Sequence, residues 1–201
     1  MKKFLHVGCG PKRKSSTTRG FDSSAWAEVR YDIDESVKPD FVGSMTDMSV
    51  IEDESVDAVF SSHNIEHLYP HEVGDALGEF YRVLKKDGVV VLTCPDIQSV
   101  CELVAQDKLT DTAYVSPAGP IAPIDILYGH RASMQNGNLY MAHKCGFTEK
   151  VLIATFRTAG FKRVASKRRS SPYFDLWAIA AKTEIDNNQL RACAQEHFPS
   201  G

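Results

Sequence analysis

Apolar residues in the first half of the chain occur in short continuous runs, each closed by polar residues or by glycine. The runs cover residues 4–7, 29–34, 39–43, 56–62 and 88–94. Continuous runs of this length are typical of strands that are covered on both faces of a sheet. We therefore predict five strands in this half of the chain.

A helix is predicted between the last two runs, over residues 70–86. Its apolar residues are spaced by four, three and four positions, which places them on one stripe. They are Val73, Leu77, Phe80 and Leu84. Pro70 suits the first position of a helix, and Gly88 follows its end. Because strands alternate with helical segments, we predict an α/β fold with a mostly parallel sheet.

The pattern weakens in the second half of the chain. Helices are predicted over residues 97–106 and 148–159, the second with Thr148 as its cap. The residues between them are expected to be mostly irregular. Two stretches there have the composition of loops, 116–123 and 129–137.

The last apolar runs predict an antiparallel pair of strands. They cover residues 161–167 and 173–181 and are separated by a Ser-Ser-Pro turn near 170–172. Residues 183–201 are polar, and we expect them to form a frayed tail. The sheet is therefore predicted to end in a C-terminal antiparallel hairpin.

Length and composition are those of one globular domain. The chain has 201 residues, a formal net charge of −3 and 43% hydrophobic residues, which gives no reason to expect nucleic-acid binding. We expect a single domain over residues 1–182 that contains an irregular segment, 97–147. The apolar run at the start is broken at His6 and Gly8, too soon for a signal peptide or a membrane span.

The five cysteines show no C-x-x-C spacing, and their number is odd. Neither a disulfide framework nor a thiolate zinc site is suggested by such a pattern. We therefore expect a reduced, cytoplasmic protein.

The string SSHNIEHLYP contains the order H-x-x-E-H, a zinc signature of one class of metalloproteases, in His63, Glu66 and His67. Such a site needs both histidines on one face of a regular helix, and Pro70 works against that helix. No third ligand has suitable spacing nearby. We therefore interpret the string as a strand-to-helix corner in which Glu66 and His67 form local hydrogen bonds, and we expect no metal. A zinc hydrolase is the less favoured alternative.

Three features follow parallel strands and should meet at one edge of the sheet, where open α/β sheets bind ligands. They are the turn Gly8-Cys9-Gly10, the carboxylates Asp32 and Asp34, and His63. A dinucleotide fingerprint would require a third glycine where this chain has Arg13. A ligand with ribose and adenine but no phosphate fits better, and S-adenosylmethionine is one.

The motifs together resemble class I S-adenosylmethionine-dependent methyltransferases. The strings are LHVGCGP, YDID, GSMTDMS, DAVFSSHNIEHL and FYRVLKKDGVVVLTCPD, followed by HKCGFTEKVL and FDLWAIAAK. They occur in the order found in that family and cover roughly residues 3–182. The resemblance implies a doubly wound, mostly parallel Rossmann-like sheet with a C-terminal antiparallel hairpin, and S-adenosylmethionine as the cofactor.

The resemblance also implies roles for individual residues. The glycines would let the backbone approach the methionine part of the cofactor, and Asp32 would bind the ribose hydroxyls, with Asp34 as the alternative. The implied cofactor-binding residues are Val7, Gly8, Cys9, Gly10, Asp32, Ile33, Ser44, Met45, Ser62 and His63. Ser44 and Met45 would lie at the adenine, and Ser62 and His63 near the methyl group.

Two positions differ from the family pattern, which commonly has acidic residues there: His6, two residues before the first glycine, and Ser44, near the adenine. They are the support for an alternative, a protein that binds the cofactor without catalysing methyl transfer.

Methyl transfer needs a general base only if the accepting atom loses a proton. His63 is the first candidate, and His143, in the irregular segment on the substrate side, is the second. Tyr128, His130 and Tyr140 are further candidates. The corner Ser-His-Asn does not resemble the Asn/Asp-Pro-Pro-Tyr of methylases that act on exocyclic amino groups of bases. We therefore expect a small-molecule or envelope-precursor acceptor; the oligomeric state is not predicted.

Overall fold

The structure is a computed structural model that describes residues 1–199. Its centre is a sheet of seven strands. They are β1 (Lys2–Val7), β2 (Trp26–Asp32), β3 (Phe41–Val42), β4 (Val56–Ser62), β5 (Leu84–Pro95), β8 (Arg163–Arg169) and β9 (Asp175–Ala181). A separate two-stranded hairpin consists of β6 (Tyr114–Ser116) and β7 (Gly119–Ile121).

The strand order is β3-β2-β1-β4-β5-β9-β8. The pairings among β1 to β5 are parallel, whereas β9 pairs antiparallel with both β5 and β8. The predicted fold class is therefore confirmed, including the C-terminal antiparallel hairpin. The strands up to β3 are added on one side of β1, and β4 and β5 are added on its other side. The carboxyl ends of β1 and β4 therefore mark the switch point at which such sheets bind ligands.

Six helices accompany the sheet in the described part of the chain. They are α1 (Val73–Val83), α2 (Ile97–Val104), α3 (Pro123–Tyr128), α4 (Arg131–Gln135), α5 (Glu149–Thr158) and α6 (Asn187–His197). Helices α1 and α5 cover one face, where Leu77, Phe80, Leu152 and Phe156 are fully buried against strand residues such as Val90. None of these helices combines the length and the apolar character needed to cross a bilayer.

The other face is covered by the segment between β1 and β2 together with α6. That segment forms a single 3₁₀ turn, Lys14–Ser16, and no α-helix. Phe21 instead stacks on Phe4 of β1 at a centroid distance of 4.3 Å. From α6, Leu190 packs into the same cluster. A helix near the C-terminal end of the described chain thus helps to fill the layer beside β1.

The expectation of a frayed tail from residue 183 is therefore wrong for residues 187–197. Asp186 caps α6 by accepting hydrogen bonds from the amides of Asn188 and Gln189. The apolar pattern does not predict this helix because its buried face is small. Its buried residues are Leu190 and His197. Residues 200 and 201 of the predicted tail lie outside the described residues.

The first predicted helix is shorter than expected. It begins at Val73 rather than at Pro70 and ends at Val83, because Leu84 takes up an extended conformation and starts β5. The amide of Leu84 closes the helix by donating to the carbonyl of Phe80, and its own carbonyl accepts from Lys182 Nζ at 2.6 Å. Three residues of the predicted apolar stripe, Val73, Leu77 and Phe80, lie in the helix, whereas the fourth, Leu84, belongs to β5.

The two predicted loops contain regular structure. Residues 116–123 include most of the β6–β7 hairpin, and residues 129–137 include α4. Asp125 connects these elements: its carboxylate accepts from the amide of Ala122 and pairs with Arg131. The loop composition reflects the turns of this segment, whose residues Ile121 and Ile126 pack in one cluster with Val100 and Phe174. By contrast, the helix predicted after Thr148 is present, with Thr148 Oγ1 accepting from the amide of Val151.

Candidate functional site

The turn after β1 is built on two glycines in left-handed backbone conformations. Gly8 has φ of +64° and Gly10 has φ of +51°, a region that side chains with a Cβ rarely adopt. A Cβ on Gly8 would lie only 2.1 Å from Oδ1 of Asn64. Gly8 is therefore required twice, for its conformation and for the close approach of Asn64.

Two side chains of β2 hold this turn from one side. Asp32 Oδ2 accepts a hydrogen bond from the amide of Gly10 at 2.7 Å, and the Arg30 guanidinium donates to the carbonyl of Gly10. Arg30 is fully buried and also donates to the carbonyl of Lys38 at 2.6 Å. The backbone of Gly10 is thus fixed at both its amide and its carbonyl.

The two carboxylates considered for the ribose differ in environment. Asp32 is 8% exposed, and its other oxygen accepts from the amide of Asp34 at 2.9 Å. Each of its oxygens keeps a second lone pair for a hydroxyl group. Asp34 is exposed, and hydrogen bonding by the side chain and then by the amide of Ser36 lowers its pKa. Ile33, between them, is 48% exposed.

The thiol of Cys9 lies within the turn but is buried. Burial raises the pKa of Cys9 to about 11, so the thiol stays protonated at neutral pH. Val7, the last residue of β1, is also buried. Both residues shape the turn through their backbones rather than through reactive side chains.

The segment after β3 is anchored by Tyr31. Its hydroxyl oxygen lies 3.0 Å from the carbonyl oxygens of Ser44 and Asp47. Ser44 Oγ is 2.7 Å from Oγ1 of Thr46, and Met45 is partly buried against the core. Burial raises the pKa of Tyr31 to about 12, so its hydroxyl remains neutral and keeps this segment beside the end of β2.

The corner after β4 is tied to the glycine turn through Asn64. Its Nδ2 donates to the carbonyl of Val7 at 3.2 Å and to that of Ser62 at 3.0 Å. Ser62 Oγ is in turn 2.8 Å from Oγ1 of Thr93. Asn64 therefore fixes the corner directly against Gly8, a role that the sequence analysis missed although the residue lies within the quoted string.

The H-x-x-E-H string forms one 3₁₀ turn, Ile65–His67, after which Leu68 is extended. This agrees with a corner rather than with the two-turn helix of a zinc protease. The expected local hydrogen bonds are wrong, because the Glu66 carboxylate has no hydrogen-bond partner among the described residues and the His67 ring contacts the carbonyl of Ala142. His63 precedes the turn in a left-handed conformation, with φ of +55°, and its amide donates to the carbonyl of Thr93 at 2.9 Å. Its side chain is 49% exposed.

A cavity of about 160 Å³ opens beside this corner. Its wall combines the corner with β6, β7, α3 and the loop between β8 and β9. The lining residues are His63, Glu66, His67, Pro95, Tyr114, Ile121, Asp125, Ile126, His130, Met141, His143, Tyr173 and Phe174. The structure thus brings both predicted base candidates, His63 and His143, to one cavity, together with His130. Tyr128 and Tyr140 do not line it.

Several of these lining residues were missed by the sequence analysis. Tyr114 and Ile121 belong to the β6–β7 hairpin, which was treated as irregular. Phe174 adopts φ of +53° in the turn between β8 and β9, and no sequence pattern marked that turn as part of a site.

Glu66 lies at the cavity with its side chain 1% exposed. His63 Nδ1 is 3.3 Å from its Oε1, an ion-pair contact whose angle does not suit a hydrogen bond. The partial burial of His63 and the nearly complete burial of Glu66 oppose ionisation, yet the attraction between the two groups outweighs it, so the pKa of His63 is raised and that of Glu66 is lowered. Among the described residues, neither oxygen of Glu66 has a hydrogen-bond partner.

His6 occupies the position where an acidic residue was expected. It is buried, and its Nδ1 lies 2.7 Å from Oε1 of Glu28 on the adjacent strand. Burial lowers the pKa of His6, and the neighbouring Glu28 works against that change. A carboxylate is therefore present at this position of the sheet, supplied by β2 instead of β1.

Comparison with known proteins supports the sequence motifs. Residues 5–92 match the profile of a protein family described as "Methyltransferase domain". The match includes the glycine turn, the end of β2 and the corner after β4, and it confirms the resemblance for the motifs that lie within these residues. No curated protein matches the chain.

Solved structures share the fold at low sequence identity. A protein from Pyrococcus horikoshii is 17% identical, with a TM-score of 0.62 over 90% of this chain and 82% of that one. A SAM-dependent methyltransferase from Methanosarcina mazei is 18% identical, with a TM-score of 0.60 over 92% and 93%. The 1,6-didemethyltoxoflavin-N1-methyltransferase of Burkholderia thailandensis, solved with 1,6-didemethyltoxoflavin and S-adenosylhomocysteine, is 17% identical, with a TM-score of 0.58 over 91% and 72%. These matches establish the fold.

Proposed function

We propose that this chain is an S-adenosylmethionine-dependent methyltransferase that acts on a small molecule held in the cavity beside β4. One observation carries the proposal: Asn64 packs against Gly8 and so joins the glycine turn to the corner that opens onto the cavity. A cofactor on the turn would therefore have its methionine end beside the cavity.

The residues at the turn suit this cofactor. Because the glycines have no side chain, the methionine part of the cofactor can approach the backbone closely. Asp32, at the carboxyl end of β2, has lone pairs available for the ribose hydroxyls. Ile33, half-exposed next to Asp32, and the Ser44–Met45 segment would flank the adenine. No phosphate is required, which agrees with the proline that follows Gly10.

The cofactor supplies an electrophilic methyl group on a sulfonium when it is bound. The protein's own contribution is to hold an acceptor in line with that methyl group inside a small cavity, which by itself accelerates a displacement. His63 is the group we assign to take up the acceptor's proton, because it lies at the corner nearest the turn and is contacted by Glu66. His143, which lines the same cavity and is less exposed than His63, is the alternative.

Thermal unfolding with S-adenosylhomocysteine tests the cofactor. At a hundred times the dissociation constant, a ligand stabilises the folded state by about 2.7 kcal/mol. For a domain of this size, that corresponds to a rise in Tm of roughly 5–10 °C. The absence of any rise at millimolar ligand would contradict the proposal.

Two matched variants identify the ribose ligand. Asp32→Asn keeps the shape of the side chain and is expected to abolish most of the ligand-induced rise in Tm. Asp34→Asn, on an exposed side chain, is expected to leave that rise unchanged. The opposite result would move the ribose assignment to Asp34.

A further inference from the structure

Three potential metal ligands converge at the cavity. Glu66 and His67 come from the corner after β4, and His143 comes from the irregular segment. Their ligand atoms all lie within 4.8 Å of one another. Ligands 2.0–2.2 Å from a shared tetrahedral zinc ion are roughly 3.3–3.6 Å apart, so a small adjustment of the side chains is sufficient.

The meeting of these segments is fixed by the backbone. The amides of Lys144 and Cys145 both donate to the carbonyl of Glu66, at 2.8 and 3.2 Å. Sequence spacing could not reveal this contact, which brings His143 to the corner as a third potential ligand.

Hydrogen bonds determine which nitrogen of each histidine is free. His67 Nδ1 lies 3.1 Å from the carbonyl oxygen of Ala142, and His143 Nδ1 lies 2.8 Å from that of Ile126. A carbonyl oxygen only accepts, so both Nδ1 atoms carry hydrogen. In the neutral rings both Nε2 atoms therefore present lone pairs. This is the arrangement typical of metal-binding histidines, whose second nitrogen is oriented by a carbonyl or carboxylate.

The Glu66 carboxylate gives a second indication of a missing ion, independent of the two histidines. Its side chain is almost completely buried, and among residues 1–199 neither of its oxygens has a hydrogen-bond partner. A buried carboxylate without donors is strongly unfavourable. Here it faces two nitrogen lone pairs, and its contact with His63 at 3.3 Å is not a hydrogen bond, so no donor satisfies the three acceptors that meet at this point.

We propose that Glu66, His67 and His143 bind a divalent first-row transition-metal ion, with Zn²⁺ the ion that suits them best. Two histidines and one glutamate are a ligand set found in catalytic zinc sites that keep an open position. That position would face the cavity, where His63 lies on one side. His143 is then a metal ligand rather than the second base candidate.

A metal ion at this site indicates that the methyl acceptor is a hydroxyl or a thiol. This inference rests on the proposed methyltransferase function. A hydroxyl or thiol that coordinates the ion loses its proton more readily. The proton passes to His63, and the oxygen or sulfur lone pair forms the new bond to the methyl carbon. The carbon–sulfur bond of the sulfonium breaks with its electron pair staying on sulfur. The products are the methylated acceptor and S-adenosylhomocysteine.

Zinc binding to the chelator-treated full chain tests the site. We expect one Zn²⁺ per chain by elemental analysis, and visible absorption by a Co²⁺-substituted sample. Competition with a chromogenic chelator should show that His143→Ala weakens Zn²⁺ affinity about 100-fold or more. His130→Ala, which removes a histidine from the same cavity but hydrogen-bonds to Ser133 instead, should leave the affinity unchanged.

The outcomes separate this site from the proposed function. No stoichiometric Zn²⁺, or an equal effect of His130→Ala and His143→Ala, would overturn the metal site while leaving S-adenosylhomocysteine binding intact. Zinc binding without any effect of S-adenosylhomocysteine on Tm would instead refute the methyltransferase and favour metal-assisted hydrolysis. If His143→Ala does not fold, Glu66→Gln, which keeps the side-chain volume, and the Co²⁺ spectrum of the wild type decide the question.

Discussion

Acidification should destabilise the protein through His197, the last residue of α6. Its ring packs 4.3 Å from that of Phe21, its Nδ1 lies 2.7 Å from Thr18 Oγ1, and the residue is 4% exposed. Burial lowers the pKa of His197 from its ordinary value of 6.5 to about 4. The folded state therefore favours the neutral ring, whereas the unfolded chain takes up a proton near pH 6.5.

The size of the effect follows from these two values. Between pH 6.5 and about 4 the unfolded chain binds more protons than the folded one, so the stability contributed by His197 falls as the pH falls. This contribution is fully present above pH 6.5. Its loss reaches about 2 kcal/mol at pH 5 and approaches about 3 kcal/mol at lower pH.

Urea unfolding at pH 7.5 and pH 5 measures this loss, with His197→Asn as the matched control. Asparagine retains a polar group for Thr18 but does not titrate. Other ionisable groups affect both proteins alike and cancel in the comparison. We expect the free energy of unfolding of the wild type to fall by about 2 kcal/mol more than that of the variant over this interval. Equal losses in the two proteins would refute the assignment of a buried, neutral His197.

Other substitutions test the turn and the helices. Gly8→Ala should lower the free energy of unfolding by about 2 kcal/mol or more, from its left-handed conformation and its collision with Asn64, and should abolish the rise in Tm with S-adenosylhomocysteine. Gly78→Ala, at an exposed position of α1 with open space around it, should instead raise stability by about 0.5–1 kcal/mol in the same urea experiment. Thr148→Ala removes the cap of α5 and should lower stability by about 1 kcal/mol; an unchanged value would mean that this cap does not contribute.

The sheet could be predicted because its strands are covered on both faces. The apolar runs at 56–62 and 88–94 identified β4 and most of β5, and the turn at 170–172 identified the final hairpin. The glycine turn could be predicted equally well, because its glycines directly follow β1 and Asp32 is the last residue of β2. In these regions local patterns and tertiary structure agree.

The cavity could not be predicted to the same extent, because long-range contacts create it. The hydrogen bonds between Glu66 and residues 144 and 145 join two segments with no common sequence pattern. Helix α6 was not predicted for a related reason. Few of its residues are buried, and they pack against residues near the start of the chain, such as Phe4 and Phe21.

The packing of α6 beside β1 also bears on how the protein is made. Thr18 and His197 are separated by 179 positions, so the layer over Phe4 and Phe21 stays incomplete on the ribosome until α6 has emerged. During that time an aromatic surface next to the glycine turn is open to water and to other nascent chains. Synthesis proceeds at roughly 5–20 residues per second, which leaves this surface uncovered for on the order of ten seconds or more. A chaperone that binds aromatic segments would find its target there until α6 packs against Phe21.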